Sequence, residues 1–127
     1  MEIRPFYDEY LATFVALCRG DHDDPEALLG YYSVPLLLSA DRTAWLRTGD
    51  EVVDVVRAQA ADMRAAGFDR SEMSDPRTVA LNPTTAWFGA RFVRRRTDGS
   101  AIAEFSAFYL ISDLPEGRRI TTLGLEL

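Results

Sequence analysis

The chain reads as a single α+β domain spanning residues 1–127, with helices first and an antiparallel sheet after them. Three observations carry this reading. The length of 127 residues is that of one domain. Apolar residues recur at helical spacing through the first half. From Arg77 onward the spacing changes to two, the period of a half-buried strand. Hydrophobic residues make up 47% of the chain, which is too many for a disordered segment and enough for one core.

The first helix begins near Pro5, which suits an early helical position. Tyr7, Tyr10, Leu11, Phe14, Leu17 and Cys18 fall on one stripe, and Gly20 is a natural stop. Asp23 or Asp24 caps a second, short helix that starts at Pro25 and carries Leu28, Leu29 and Tyr32. Val34 to Leu38 is a short strand, Asp41-Arg42-Thr43 a turn, and Ala44 to Arg47 the partner strand. Thr48 caps a long third helix, with Glu51 at the capping-box position. The buried stripe of this helix is Val52, Val53, Val56, Ala60 and Met63, and Gly67 ends it. Arg77 to Leu81, Thr85 to Arg96, Ala101 to Ile111 and Arg118 to Leu125 then read as strands. The expectation is three N-terminal helices packed on a curved antiparallel sheet.

Asp98-Gly99 is a hairpin signal. A two-residue turn there pairs Phe92 with Phe105, Ala90 with Ala107 and Phe88 with Tyr109, giving one face that is apolar throughout. The opposite face carries Trp87, Gly89, Arg91 and Val93 against Leu110, Phe108, Ser106 and Glu104. An antiparallel sheet in a small domain usually has one wet face, and neither face here is polar enough. One is expected to meet the helices and the other a second copy of the chain. Trp87, Arg91, Glu104 and Phe108 are therefore the expected homodimer face.

Composition removes whole classes of chemistry. All 14 basic residues are arginine, so Schiff-base and P-loop lysine chemistry are absent. Cys18 and His22 are the single cysteine and histidine, which leaves no disulfide, no cysteine zinc site and no histidine-rich metal site. A net charge of −6 argues against a nucleic-acid partner. No apolar run is long enough to span a membrane. Glu2 and Arg4 lead straight into an amphipathic segment rather than a signal peptide, so the expected location is the cytoplasm. Asp21, His22, Asp23 and Asp24, with Glu26, form an acidic run that could hold a hard cation, but a helix start explains Asp23 and Asp24, and no metal or cofactor is expected.

The order of elements resembles the nuclear transport factor 2-like superfamily, whose members include SnoaL-like polyketide cyclases and ketosteroid isomerases. The local matches are the junction Leu17-Cys18-Arg19-Gly20-Asp21-His22-Asp23, followed by Ala27-Leu28-Leu29-Gly30-Tyr31-Tyr32, and the tail Phe108-Tyr109-Leu110-Ile111 with Gly117 and Arg119-Ile120. The resemblance implies a conical pocket between the helices and a curved sheet, and a homodimer through the outer sheet face. An isomerase of this kind needs a carboxylate base and a protonated Asp as oxyanion donor. Those positions fall at Ser39, with Asp41 two residues on, and at Ala107. A dehydratase-like reading needs a pocket histidine, and His22 sits in the helix junction.

Asp41 is the candidate base, with a turn aspartate as the plain alternative. Tyr32 and Tyr109, with Tyr10, are candidate hydroxyl donors to a carbonyl or else core aromatics. The expected pocket wall is Tyr10, Phe14, Leu38, Trp45, Val56, Phe88, Phe92, Phe105, Ala107 and Thr122. Arg94-Arg95-Arg96 alternate faces and read as a solvated strand end. The leading function is binding of a small, mostly apolar molecule as a homodimer. A SnoaL-like acid–base enzyme using Asp41, and an interaction module using the outer face, are the alternatives.

Overall fold

The computed structural model describes residues 1–126. Helix α1 (Arg4–Arg19) is followed by a short 3-10 segment (Pro25–Gly30) and strands β1 (Tyr32–Ser39) and β2 (Thr43–Leu46). Helix α2 (Gly49–Ala65) leads to β3 (Phe68–Asn82), β4 (Thr85–Arg96), β5 (Ala101–Leu114) and β6 (Gly117–Glu126). The strands form one six-stranded sheet in the order β2-β1-β6-β5-β4-β3.

Both α-helices bury the stripes read from the sequence. Tyr7, Tyr10, Phe14, Leu17 and Cys18 are buried on α1, and Val52, Val53, Val56, Ala60 and Met63 on α2. Gly20 ends α1 with φ 85°, a left-handed conformation that costs glycine little. Thr48 Oγ1 accepts from the Glu51 amide at 3.2 Å, and Glu51 Oε2 reaches back to the Arg47 amide at 2.6 Å. The end of α1 is joined to α2 by Arg64. Its Nε and Nη2 donate to the Leu17 carbonyl at 3.1 and 2.8 Å, and Nη2 also to the His22 carbonyl at 2.9 Å. The Leu17 carbonyl, in the last turn of α1, also accepts from the Gly20 amide at 3.1 Å, and the His22 bond ties down the loop beyond the helix.

Four expectations change. Only two of the three helices are α-helices, because the segment at Pro25 is too short to propagate an α-helix. Tyr32 belongs to β1 rather than to that helix. The sheet is mixed, since β1 runs parallel to β6 while every other pair is antiparallel. Strand β3 is far longer than Arg77 to Leu81. It is an edge strand: the half before Arg77 is mostly polar, the stretch from Ser74 to Asn82 is exposed, and a bulge falls between Ser74 and Arg77 at Asp75 (φ 53°). Charge, proline and a bulge are what an open sheet edge carries against unwanted pairing.

The β4–β5 register runs as read, with Phe88 opposite Tyr109, Ala90 opposite Ala107 and Phe92 opposite Phe105. The turn differs. Gly99 N–H donates to the Arg96 carbonyl at 2.9 Å and Arg96 N–H to the Ser100 carbonyl at 2.9 Å, so the loop has three residues with Gly99 at φ 87°. An extra residue in β5 near Ile102 offsets the longer loop. A second bulge, at Thr121 in β6, reverses the alternation of that strand: Ile120 pairs with Ile111, but Thr122 pairs with Leu110.

Candidate functional site

The helices and the inner sheet face enclose a cavity of about 270 Å³. This is near the lower end of small-molecule sites, roughly 300 Å³. Strands β4 and β5 supply Phe92, Phe105, Ala107 and Tyr109, and α1 supplies Tyr10 and Phe14. Helix α2 adds Val52 and Val56, and β1 adds Leu36 and Leu38. Val55 and Leu125, at the rim, are 38% and 40% exposed, so apolar surface continues to the mouth.

Of the ten residues expected on this wall, seven line it: Tyr10, Phe14, Leu38, Val56, Phe92, Phe105 and Ala107. Three lie elsewhere. Phe88 is fully buried behind the cavity, its ring centroid 4.3 Å from that of Tyr7. Trp45 pairs with Leu37 on the outer face and is 50% exposed. Thr122 is turned to the outer face by the β6 bulge. Tyr32 and Tyr109 line the cavity. Asp41 is exposed in the turn between β1 and β2, outside the lining. Among the described lining residues there is no Asp, Glu, His or Cys, so the wall carries no group able to take up a proton near neutral pH.

The tyrosines form one aromatic cluster. The Tyr10 and Tyr32 hydroxyls share a hydrogen bond of 2.7 Å, and the Tyr10 ring lies 5.4 Å from Tyr32 and 6.0 Å from Tyr109, both edge-on. Burial pushes all three phenols up. For Tyr32, the Tyr10 hydrogen bond and the Arg94 charge pull partly back. They therefore stay protonated and act as hydrogen-bond donors. Cys18, beneath them on α1, has its thiol pushed up to about 11 by burial and is no nucleophile at neutral pH.

Tyr7 completes the cluster; its hydroxyl is buried towards that of Tyr109 but makes no well-formed hydrogen bond among the described residues. An unsatisfied buried hydroxyl costs about 1–3 kcal/mol. Tyr7→Phe is therefore expected to stabilise the protein by about 1 kcal/mol in urea unfolding. A loss of stability would show that the hydroxyl bonds to that of Tyr109 or to a buried water.

The three consecutive arginines have three separate environments. Arg95 points outward, with Nε 2.9 Å from Glu72 Oε1. Arg96 Nε donates to the Ala66 carbonyl at 2.8 Å and so caps the end of α2. Arg94 turns inward and lines the cavity. Sequence reasoning missed it, although the register that places Phe92 on the inner face places Arg94 there too. The same is true of Ser71, its cross-strand neighbour on the unrecognised half of β3, which also lines the cavity.

On the other side of the sheet Trp87, Phe108, Leu110 and Leu37 are half-buried, and Val79 and Trp45 are about half exposed. The Trp87 ring lies on Gly89 and the Phe108 ring on Gly124. A β-carbon there would collide with those rings. Arg77 stacks over Trp87 at 5.4 Å. Arg91 and Glu104 are exposed and paired at 3.4 Å.

Residues 1–124 match the family model described as NTF2-like protein DUF6841. The chain belongs to this NTF2-like family. Solved structures agree on the fold. An NTF2-like protein with a cystatin-like fold from Novosphingobium aromaticivorans superposes with TM-score 0.70 at 16% identity, over 99% of this chain and 79% of that one. An NTF2-like protein of unknown function from Shewanella oneidensis gives 0.67 at 18%, over 95% and 98%. A cystatin-like protein of unknown function from Nostoc punctiforme gives 0.70 at 14%, over 94% and 86%. Among curated proteins none matches the chain significantly in sequence. For this NTF2-like chain, no described helix is long and apolar enough to cross a membrane. No group of three metal-ligating side chains comes together among the described residues.

Proposed function

We propose that this NTF2-like protein binds a small, mostly apolar molecule in the cone, as a homodimer joined through the outer sheet face, without transforming it. One observation supports the first part above others. The cavity of about 270 Å³ is walled by aliphatic and aromatic side chains, with tyrosine hydroxyls as donors and no carboxylate or imidazole among the described lining residues. Such a wall favours an apolar body by excluding water and orients it by a few hydrogen bonds. Catalysis by proton transfer would need a base within hydrogen-bond reach of the ligand, and Asp41 stands outside. The dimer is supported by the aromatic outer face around Trp87 and Phe108 and by the opposite charges of Arg91 and Glu104, which a twofold contact can match.

Ala107 tests the ligand reading, because it belongs to the cavity wall and is itself almost fully covered, so a larger side chain there has to take space from the cavity. Ala107→Leu places three more carbons in the cavity. Filling vacant space of this kind commonly adds roughly 0.5–2 kcal/mol of stability. The expected result is a higher melting temperature together with loss of N-phenylnaphthylamine fluorescence enhancement. A destabilised variant that still enhances the dye would show that the space is already filled and that the dye sits elsewhere.

A further inference from the structure

We infer that the molecule bound in this cavity carries a negative charge, a carboxylate on an apolar body, and that Arg94 seats it. This deepens the ligand-binding reading and rests on it. Arg94 is half-buried on the inner face of β4, beside Phe92 and Phe105 and opposite Ser71. Its guanidinium carbon lies 4.7 Å from the centre of the Phe105 ring and 5.8 Å from that of Phe14. Contacts with the two rings hold the charge in place. The guanidinium also carries N–H groups that need acceptors.

A guanidinium has five such donors. Among the described residues the only hydrogen-bond contact of Arg94 is Nη1 to the Met63 sulfur at 3.7 Å, a weak acceptor. No carboxylate among the described residues pairs with it, whereas Arg95 and Arg96 beside it each have oxygen acceptors. A charged group between aromatic walls is normally paired. Arg94 lines the cavity, so an acceptor bound there lies within its reach. The other polar side chains on the wall are those of Tyr10, Tyr32, Tyr109, Ser39, Ser71 and Gln59; one proton of the Tyr10–Tyr32 pair is used between them, and the rest can donate to a ligand. The field of Arg94 reaches inward, since it draws down the otherwise raised Tyr32 and Tyr109 phenols. A cavity with a cation, several donors and no anion of its own selects an acceptor-rich, negative head group.

Three probes of one shape separate charge from burial: naphthoate, naphthylmethanol and naphthylmethylamine, titrated by calorimetry. The unaltered protein is expected to bind naphthoate about tenfold more tightly than the alcohol, the yield of one partly solvated charge-assisted pair, and the amine least. In Arg94→Gln the preference for naphthoate over the alcohol is expected to vanish while the alcohol binds as before. Arg94→Lys should restore most of the preference. Equal binding of naphthoate and alcohol by the unaltered protein overturns the inference and leaves the apolar-ligand reading standing. Binding of none of the three overturns both. The comparison in the unaltered protein decides the charge of the ligand even if Arg94→Gln fails to fold, and a naphthoate preference that survives in Arg94→Gln removes Arg94 as its seat.

Discussion

Trp87→Asp is expected to weaken self-association by about a thousandfold and to leave the protein monomeric at micromolar concentration. The size of the effect follows from symmetry. In a twofold interface the same patch serves both protomers, so each substitution is made twice. Aromatic anchors near the centre of an interface are worth about 2 kcal/mol or more each. Two of them amount to about 4 kcal/mol, which is roughly three factors of ten in affinity. The fold should tolerate the change. Trp87 lies on the outer face, its ring resting on Gly89 under Arg77, and it packs against none of the inner-face residues that form the core. Sedimentation velocity and circular dichroism together check this. A wild-type protein that is already monomeric, or a Trp87→Asp protein that remains dimeric, would remove the outer face as an interface. Arg91→Glu is a milder companion. That residue is exposed and its pair with Glu104 is the kind that contributes about 1 kcal/mol or less, so its effect should be small and reduced by salt.

Much of the fold was legible in the sequence because its elements are locally consistent. The helix stripes, the Thr48 cap, the Gly20 stop and the apolar hairpin face each follow from periodicity and end chemistry, and these do not depend on distant contacts. The site was legible where alternation is unbroken. Phe92, Phe105, Ala107 and Tyr109 could be placed by counting in twos from one turn. The count succeeded although the turn has three residues, because the bulge near Ile102 cancels the longer loop. It failed at Thr122 because the Thr121 bulge has no composition signature. It failed at Trp45 because the face of β2 is set by pairing with Leu37, a contact between strands that local pattern does not report. Ser71 was lost with the first half of β3, whose polar composition reflects its place at the sheet edge. Arg94 is the instructive case. The register already put its side chain beside Phe92, but an arginine among arginines near a strand end reads as solvated until the helices are seen to cover it.

Phe88→Ala is expected to cost about 3–5 kcal/mol, a large part of the 5–15 kcal/mol that holds a typical domain together. The ring is completely buried and is packed against Tyr7 at 4.3 Å between centroids, with Tyr109 at 6.3 Å and the Arg4 guanidinium carbon at 5.7 Å. Removing it leaves a hole on the side of the tyrosine cluster away from the cavity. Tyr7 then loses its main aromatic neighbour while its hydroxyl still lacks a well-formed hydrogen bond. The effect on ligand binding should be different in kind. Phe88 does not line the cavity, so N-phenylnaphthylamine should bind the folded fraction with nearly unchanged affinity. Phe88→Leu, which retains most of the volume, should cost roughly 1 kcal/mol and allows the binding measurement if the alanine protein is too unstable to purify. This is the reverse of Ala107→Leu, where stability rises and the dye is lost. If Phe88→Leu abolishes dye binding at little cost in stability, the ring belongs to the site after all. In that case the cavity extends past the tyrosines to α1, and Tyr7 becomes a candidate donor to the ligand rather than an unsatisfied core residue.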